Sequence, residues 1–183
     1  MGFHTFDSER APKLEDDARY RYLSREELLS ILEPDDAVVA DLGSGTGFYT
    51  DDVAPYAETL YAVDVQAEMH EFYREKGLPE NVVLVTADVA DLPFDDAHLD
   101  AAYSTMTFHE FTSDEALSEL ARVVKPDGRL VVVDWSAEGE GETGPPREER
   151  YDADAASELL RDHGFSIERA ESRRETFVVV AVR

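Results

Sequence analysis

Ala37-Val38-Val39-Ala40-Asp41-Leu42-Gly43-Ser44-Gly45-Thr46-Gly47 is a short apolar run that closes on three alternate glycines. Such a run reads as a buried strand giving way to a helix. Without β-carbons, the loop can turn tightly and let a ligand approach its main chain. Free N–H groups at the start of the following helix then face that ligand. On its own the loop is also compatible with plain turn chemistry.

Strand and helix patterns alternate outward from this point. Ser24-Arg25-Glu26-Glu27 is a capping box ahead of Leu28, Leu29, Ile31 and Leu32, so a helix is expected from about residue 25 to Glu33-Pro34. Further strands are expected at residues 59–64, 81–85, 99–104 and 129–134. Met69, Phe72, Tyr73 and Lys76 recur at helical spacing before Gly77, a C-cap. Thr112 with Glu115 marks another capping box, and Lys125-Pro126-Asp127-Gly128 a type I turn. Residues 136–150 form a flexible Gly/Pro/Glu loop, long enough to suggest a lid. A last helix near 153–162 precedes two strands near 165–169 and 176–182. Alternation of this kind builds a parallel sheet covered on both faces, with the closing pair as an antiparallel hairpin at one edge. Residues 1–23 are expected to form an N-terminal arm and 24–183 a single domain.

Composition narrows the chemistry. There is no cysteine, which excludes disulfides, thiolate metal sites and cysteine nucleophiles. The five histidines lack metal-ligand spacing, so no metal is implied. No apolar run reaches membrane-spanning length, the N-terminus does not read as a signal peptide, and a cytoplasmic location is expected. Forty-two acidic residues face 17 basic ones, of which only Lys13, Lys76 and Lys125 are lysines, for a net charge of −25. Charge at this density is tolerated best in concentrated salt, so the surface reads as halophilic. It also disfavours nucleic acid as a substrate.

Asp64 lies 17 residues beyond Gly47, at the end of the second expected strand. In a doubly wound sheet that position faces the crevice where strand order reverses, and a carboxylate there can accept from both hydroxyls of a ribose. A dinucleotide loop needs its third glycine one residue later, where Phe48 stands, so an NAD-linked oxidoreductase is disfavoured.

Taken together, these segments resemble the class I S-adenosylmethionine-dependent methyltransferases, especially the small-molecule type. Val38–Gly47 looks like the family's first motif, Ala62-Val63-Asp64 its ribose-binding strand end, and Ala87–Phe94 its adenine-reading segment. Leu120–Leu130 resembles its helix and turn into the fifth strand, usually Lys-Pro-Gly-Gly, with Asp127 replacing the first glycine. The resemblance implies a Rossmann-like α/β fold with a seven-stranded, mostly parallel sheet of order 3-2-1-4-5-7-6, strand seven being antiparallel. It implies S-adenosyl-L-methionine as cofactor and S-adenosyl-L-homocysteine as product. The cofactor-binding residues it indicates are Asp41, Gly43, Ser44, Gly45, Gly47, Asp64, Val65, Asp88, Val89, Ser104 and Thr105.

Methyl transfer requires in-line placement of donor and acceptor, plus a base where the acceptor carries a proton. Candidates follow strands four and five: His109, Glu110 and Asp134. His109 reads either as a base or as a packed residue at a helix start, and Glu110 as an acid of the site or a carboxylate of a first helical turn. Trp135 reads as an acceptor contact or a core cover, and Tyr20 and Tyr22 as buried residues able to roof the pocket. The expected acceptor is a small molecule. A non-catalytic cofactor-binding module, or a partner-dependent protein or RNA methyltransferase, is the alternative.

Overall fold

A computed structural model describes residues 8–183. Its seven strands are β1 (Val38–Leu42), β2 (Thr59–Asp64), β3 (Val82–Thr86), β4 (Leu99–Thr105), β5 (Val124–Trp135), β6 (Ser166–Ser172) and β7 (Thr176–Val182). They form one sheet in the order β3-β2-β1-β4-β5-β7-β6, as expected. β1 to β5 run parallel, and β7 is antiparallel to both β5 and β6. The helices are α1 (Arg25–Leu32), α2 (Phe48–Val53), α3 (Ala67–Lys76), α4 (Phe108–Phe111), α5 (Asp114–Val123) and α6 (Ala153–Asp162).

Burial explains the apolar runs. β7 is buried along Thr176–Ala181, and in β5 Leu130–Val133 are inaccessible to solvent. Two apolar clusters form. One joins α5 and α6 to the sheet through Leu117, Leu120, Ala156 and Leu160; the other joins α1, α2 and α3 through Leu28, Val53 and Tyr73.

Local chemistry sets the helix ends. Ser24 Oγ accepts from the Glu27 N–H, and Gly77 ends α3 with a positive φ of 100°. Four expectations change. The cap of α5 is Ser113, whose Oγ accepts from Ala116, because Thr112 instead donates to the Tyr151 hydroxyl. In α3, His70 is buried where Phe72 was expected, and Phe72 faces outward. Asp127 takes φ +64°, the left-handed form rather than the type I turn, a conformation that glycine adopts without penalty. Residues 136–150 fold back rather than hang free, as described below.

The arm, residues 8–21, forms two 3-10 turns (Ser8–Glu15 and Asp17–Arg21) that lie against the glycine loop and α2. The part of the expected arm at residues 1–7, including His4, lies outside the described residues.

Candidate active site

Parallel pairing brings the carboxyl ends of β1, β2, β4 and β5 to one edge, and the predicted site residues gather there. Gly43, Gly45 and Gly47 all adopt positive φ (76°, 54° and 83°). The reasons differ. A β-carbon on Gly43 would fall 2.4 Å from Thr107, and one on Gly47 would fall 2.3 Å from the Tyr73 ring. Gly47 therefore serves packing: the Tyr73 ring occupies the space beside it. Gly45 donates its N–H to Asp64 Oδ2 at 2.8 Å, tying the loop to the tip of β2.

Asp64 Oδ1 accepts from the Gln66 N–H at 2.9 Å, so each oxygen keeps a lone pair for a further donor. Burial raises the Asp64 pKa against the pull of these two N–H groups. Val65, next in the chain, is 54% exposed, an unusual state for a valine beside a buried acid. Asp41 is buried in β1; Oδ2 accepts from Thr50 at 2.7 Å, and the buried Tyr103 hydroxyl on β4 is the other polar group that bears on its charge. Burial pushes its pKa up to about 6. The hydroxyls of Ser44 and Ser104 are buried and unpartnered, and Thr105 is buried beside them. Val89 is buried; Asp88 is exposed, its Oδ1 accepting from Ala90.

Beyond β4 the chain passes through Met106, a non-glycine residue at φ +61°, into α4. Such a conformation is disfavoured by roughly 1–3 kcal/mol and persists where surrounding structure enforces it. Here Met106 donates its N–H to the Val133 carbonyl at 2.7 Å. The turn delivers His109 onto Asp134 at the end of β5. Its main-chain N–H donates to Asp134 Oδ2 at 2.7 Å, and Nδ1 lies 2.9 Å from the same oxygen. A carboxylate only accepts, so Nδ1 carries the proton and Nε2 the lone pair. Glu110 Oε1 stands 3.8 Å from Nε2. For His109, burial opposes the charged ring but is outweighed by Asp134 and Glu110, and the pKa rises. For Glu110, burial dominates, His109 opposes it, Asp134 and Asp64 add to it, and the pKa rises to about 7.

Residues 40–132 match the family described as methyltransferase domain. The chain belongs to that family. It superimposes on an S-adenosylmethionine-dependent methyltransferase from Aquifex aeolicus with a TM-score of 0.88, at 32% identity, over 97% of this chain and 99% of the other. A complex between the Haloferax volcanii Trm112 methyltransferase activator and a methyltransferase matches with a TM-score of 0.80 over 96% of each chain; at 19% identity it shows the fold alone. The ubiquinone/menaquinone biosynthesis C-methyltransferase UbiE of Pseudomonas paraeruginosa is 37% identical over 107 residues, 54% of this chain and 41% of that protein. The chain spans about half the length of the curated relatives it matches first (54% and 41%). Family and fold identify a class I S-adenosylmethionine-dependent methyltransferase.

In this methyltransferase the arm covers the glycine loop, and Tyr20 and Tyr22, expected as buried residues able to roof the pocket, are half-buried. Leu14 Cδ1 lies 3.2 Å from where a Gly45 β-carbon would stand, and Thr46 Oγ1 donates to Glu15. Tyr20 packs on Phe48 (ring centroids 4.9 Å) and donates to Asp52; Tyr22 meets Trp135 edge-on at 4.8 Å. Residues 136–150 are gathered by the buried Arg150, which donates to the carbonyls of Pro145 and Thr143 at 2.8 and 2.6 Å. Glu140 and Glu142 of that loop converge with Glu175 of the β6–β7 turn, and Arg174 pairs with the first two, at 2.8 and 3.1 Å. A cavity of about 390 Å³ opens between Tyr22, Glu27, Arg173 and Thr176, beside the end of β5.

Proposed function

We propose that this methyltransferase transfers a methyl group from S-adenosylmethionine to a protic small-molecule acceptor, with His109 as the general base. The observation that carries the reading is the His109 Nδ1 to Asp134 Oδ2 contact of 2.9 Å, which turns the unprotonated Nε2 toward Glu110.

The donor fits the residues present. The buried Ser44 Oγ and Ser104 Oγ have no partner among the described residues, which leaves them for a polar group of a ligand. Asp64 would accept from the ribose hydroxyls, Val65, Asp88 and Val89 would border the adenine, and Gly43, Gly45, Gly47, Ser104 and Thr105 would surround the amino-acid tail. Asp41 would take the tail's ammonium. When bound, this group supplies a methyl made electrophilic by the sulfonium. What the chain's own residues contribute is placement and a proton acceptor. Asp134 orients the imidazole and stabilises its protonated form, and Nε2 receives the acceptor's proton. Thr107, wedged against Gly43, keeps the base beside the donor loop.

The acidic surface supports work in concentrated salt, and no helix among the described residues is long and apolar enough to cross a membrane. A cytoplasmic location belongs to the same reading.

His109→Gln is expected to lower turnover by about 10²–10⁴-fold while S-adenosylhomocysteine still binds. With the parent protein, rate should climb with pH as His109 loses its proton, at a pKa above the usual 6.5. Asp134→Asn removes the main charge holding that pKa up, so the acid limb should move to lower pH. Unchanged turnover in His109→Gln removes the base from the reading.

A second reading, dependence on a partner subunit, has one structural observation in its favour. β3 is an open edge without a charged residue, and Val83 on it is 44% exposed. Turnover that appears only on adding an activator subunit would favour it.

A further inference from the structure

The amino-acid tail of the donor is a zwitterion. Asp41 answers its ammonium, but its carboxylate needs a cation, and the chain has few to offer: 17 basic residues against 42 acids. Near the glycine loop, Lys76 is engaged by Glu15 at 3.1 Å and Asp51 at 2.8 Å. Arg25 lies 3.8 Å from Asp52 and bonds the Tyr56 hydroxyl.

Arg19 is different. Its guanidinium sits 4.9 Å from the ring centroids of both Phe48 and Tyr49, the first residues after the glycine loop. Among the described residues its guanidinium donates to a main-chain oxygen, that of Leu14, at 2.9 Å from Nη1. No carboxylate of the described residues lies within ion-pair distance of it. Burial lowers its pKa, while Tyr49, Asp41 and Glu15 act from further away to favour the charged form. A half-buried cation without a counter-ion is costly, and doubly unexpected in so acidic a chain. The segment carrying it is fixed against the loop by Leu14 over Gly45 and by Glu15 on Thr46. Aromatic faces below the guanidinium hold its plane while leaving its other N–H groups to donate.

We propose that Arg19 binds the carboxylate of the donor's amino-acid tail, making the N-terminal arm part of the cofactor site. The proposal rests on the reading above that the donor lies along the glycine loop. It also gives the arm a function: the residues that cover the loop bring with them the charge that the loop lacks. Donor binding would thus complete a site shared by the arm, β1 and α2.

Calorimetry with two ligands tests this without any activity measurement. S-adenosylhomocysteine and its decarboxylated analogue differ only in the carboxylate. The unaltered protein is expected to prefer the former by about tenfold or more, the worth of a charge-assisted pair. In Arg19→Gln that preference should collapse through loss of affinity for S-adenosylhomocysteine, with the analogue bound as before; Arg19→Lys should restore part of it. Retained binding of the analogue also shows that the variant is folded. Equal affinity of the unaltered protein for the two ligands, or equal weakening of both in Arg19→Gln, overturns the proposal. If the unaltered protein binds neither ligand, the donor reading itself falls, and Arg19 with it.

Discussion

At the scale of the residue, identical side chains serve different ends. The three loop glycines share a left-handed backbone, but the space beside each is used differently: Thr107 fills it at Gly43, Leu14 covers it at Gly45, and the Tyr73 ring fills it at Gly47. Gly47→Ala would meet both the backbone penalty, about 1–2 kcal/mol, and overpacking against a buried ring, about 1–3 kcal/mol. A loss of roughly 2–5 kcal/mol in chemical denaturation is expected. A loss under about 1 kcal/mol would mean that the ring moves aside freely. Asp41 shows the opposite economy. Its raised pKa means that the folded state holds a proton more tightly than the unfolded chain, so this residue's contribution to stability falls as pH rises from about 4 to 6. The acid is kept in a position where burial disfavours its charge.

At the scale of the element, the long connection after β5 is the departure that matters. Its composition reads as mobile, but the Arg150 guanidinium draws it in, and Gly144 packs against Trp135. Arg150 also stands 4.0 Å from the buried Glu175. Removing it would leave two or more carbonyls and a buried carboxylate without their cation. Arg150→Met is expected to cost about 3–5 kcal/mol and to speed amide exchange through residues 137–150. Unaltered exchange there would show that Arg150 does not organise the loop. The helices were easier to read: Ser24, Gly77 and the apolar face of α5 act through neighbours three or four residues away. The cap of α5 was misread by one position, because Thr112 is claimed by Tyr151, which lies 39 residues on.

At the scale of the molecule, charge is the dominant fact. A net charge of −25 on 183 residues implies strong self-repulsion, which added salt screens as the Debye length falls from about 10 Å at 0.1 M to 3 Å at 1 M. The melting temperature is expected to rise steadily with KCl over that range, and a flat or falling curve in scanning calorimetry would show that local pairing already compensates the charge. Arginines do much of that pairing: Arg173 with Glu27 and Glu171, and Arg129 with Glu33 and Glu168, tie the β6–β7 edge to α1 and its end.

The sequence by itself determined the alternation of strands and helices, the glycine loop and the acid after it, because these are written in periodicities and spacings within a few tens of residues; the strand order came with the family resemblance. The tertiary structure alone decided which chemistry-bearing side chains meet. His109 and Asp134 lie 25 residues apart and come together because β4 pairs with β5 in a register that sets Thr105 against Val133. Arg19 reaches the glycine loop only because the arm folds back across it. Pattern within a segment follows from local geometry; contact between segments follows from register and packing, which no single segment contains.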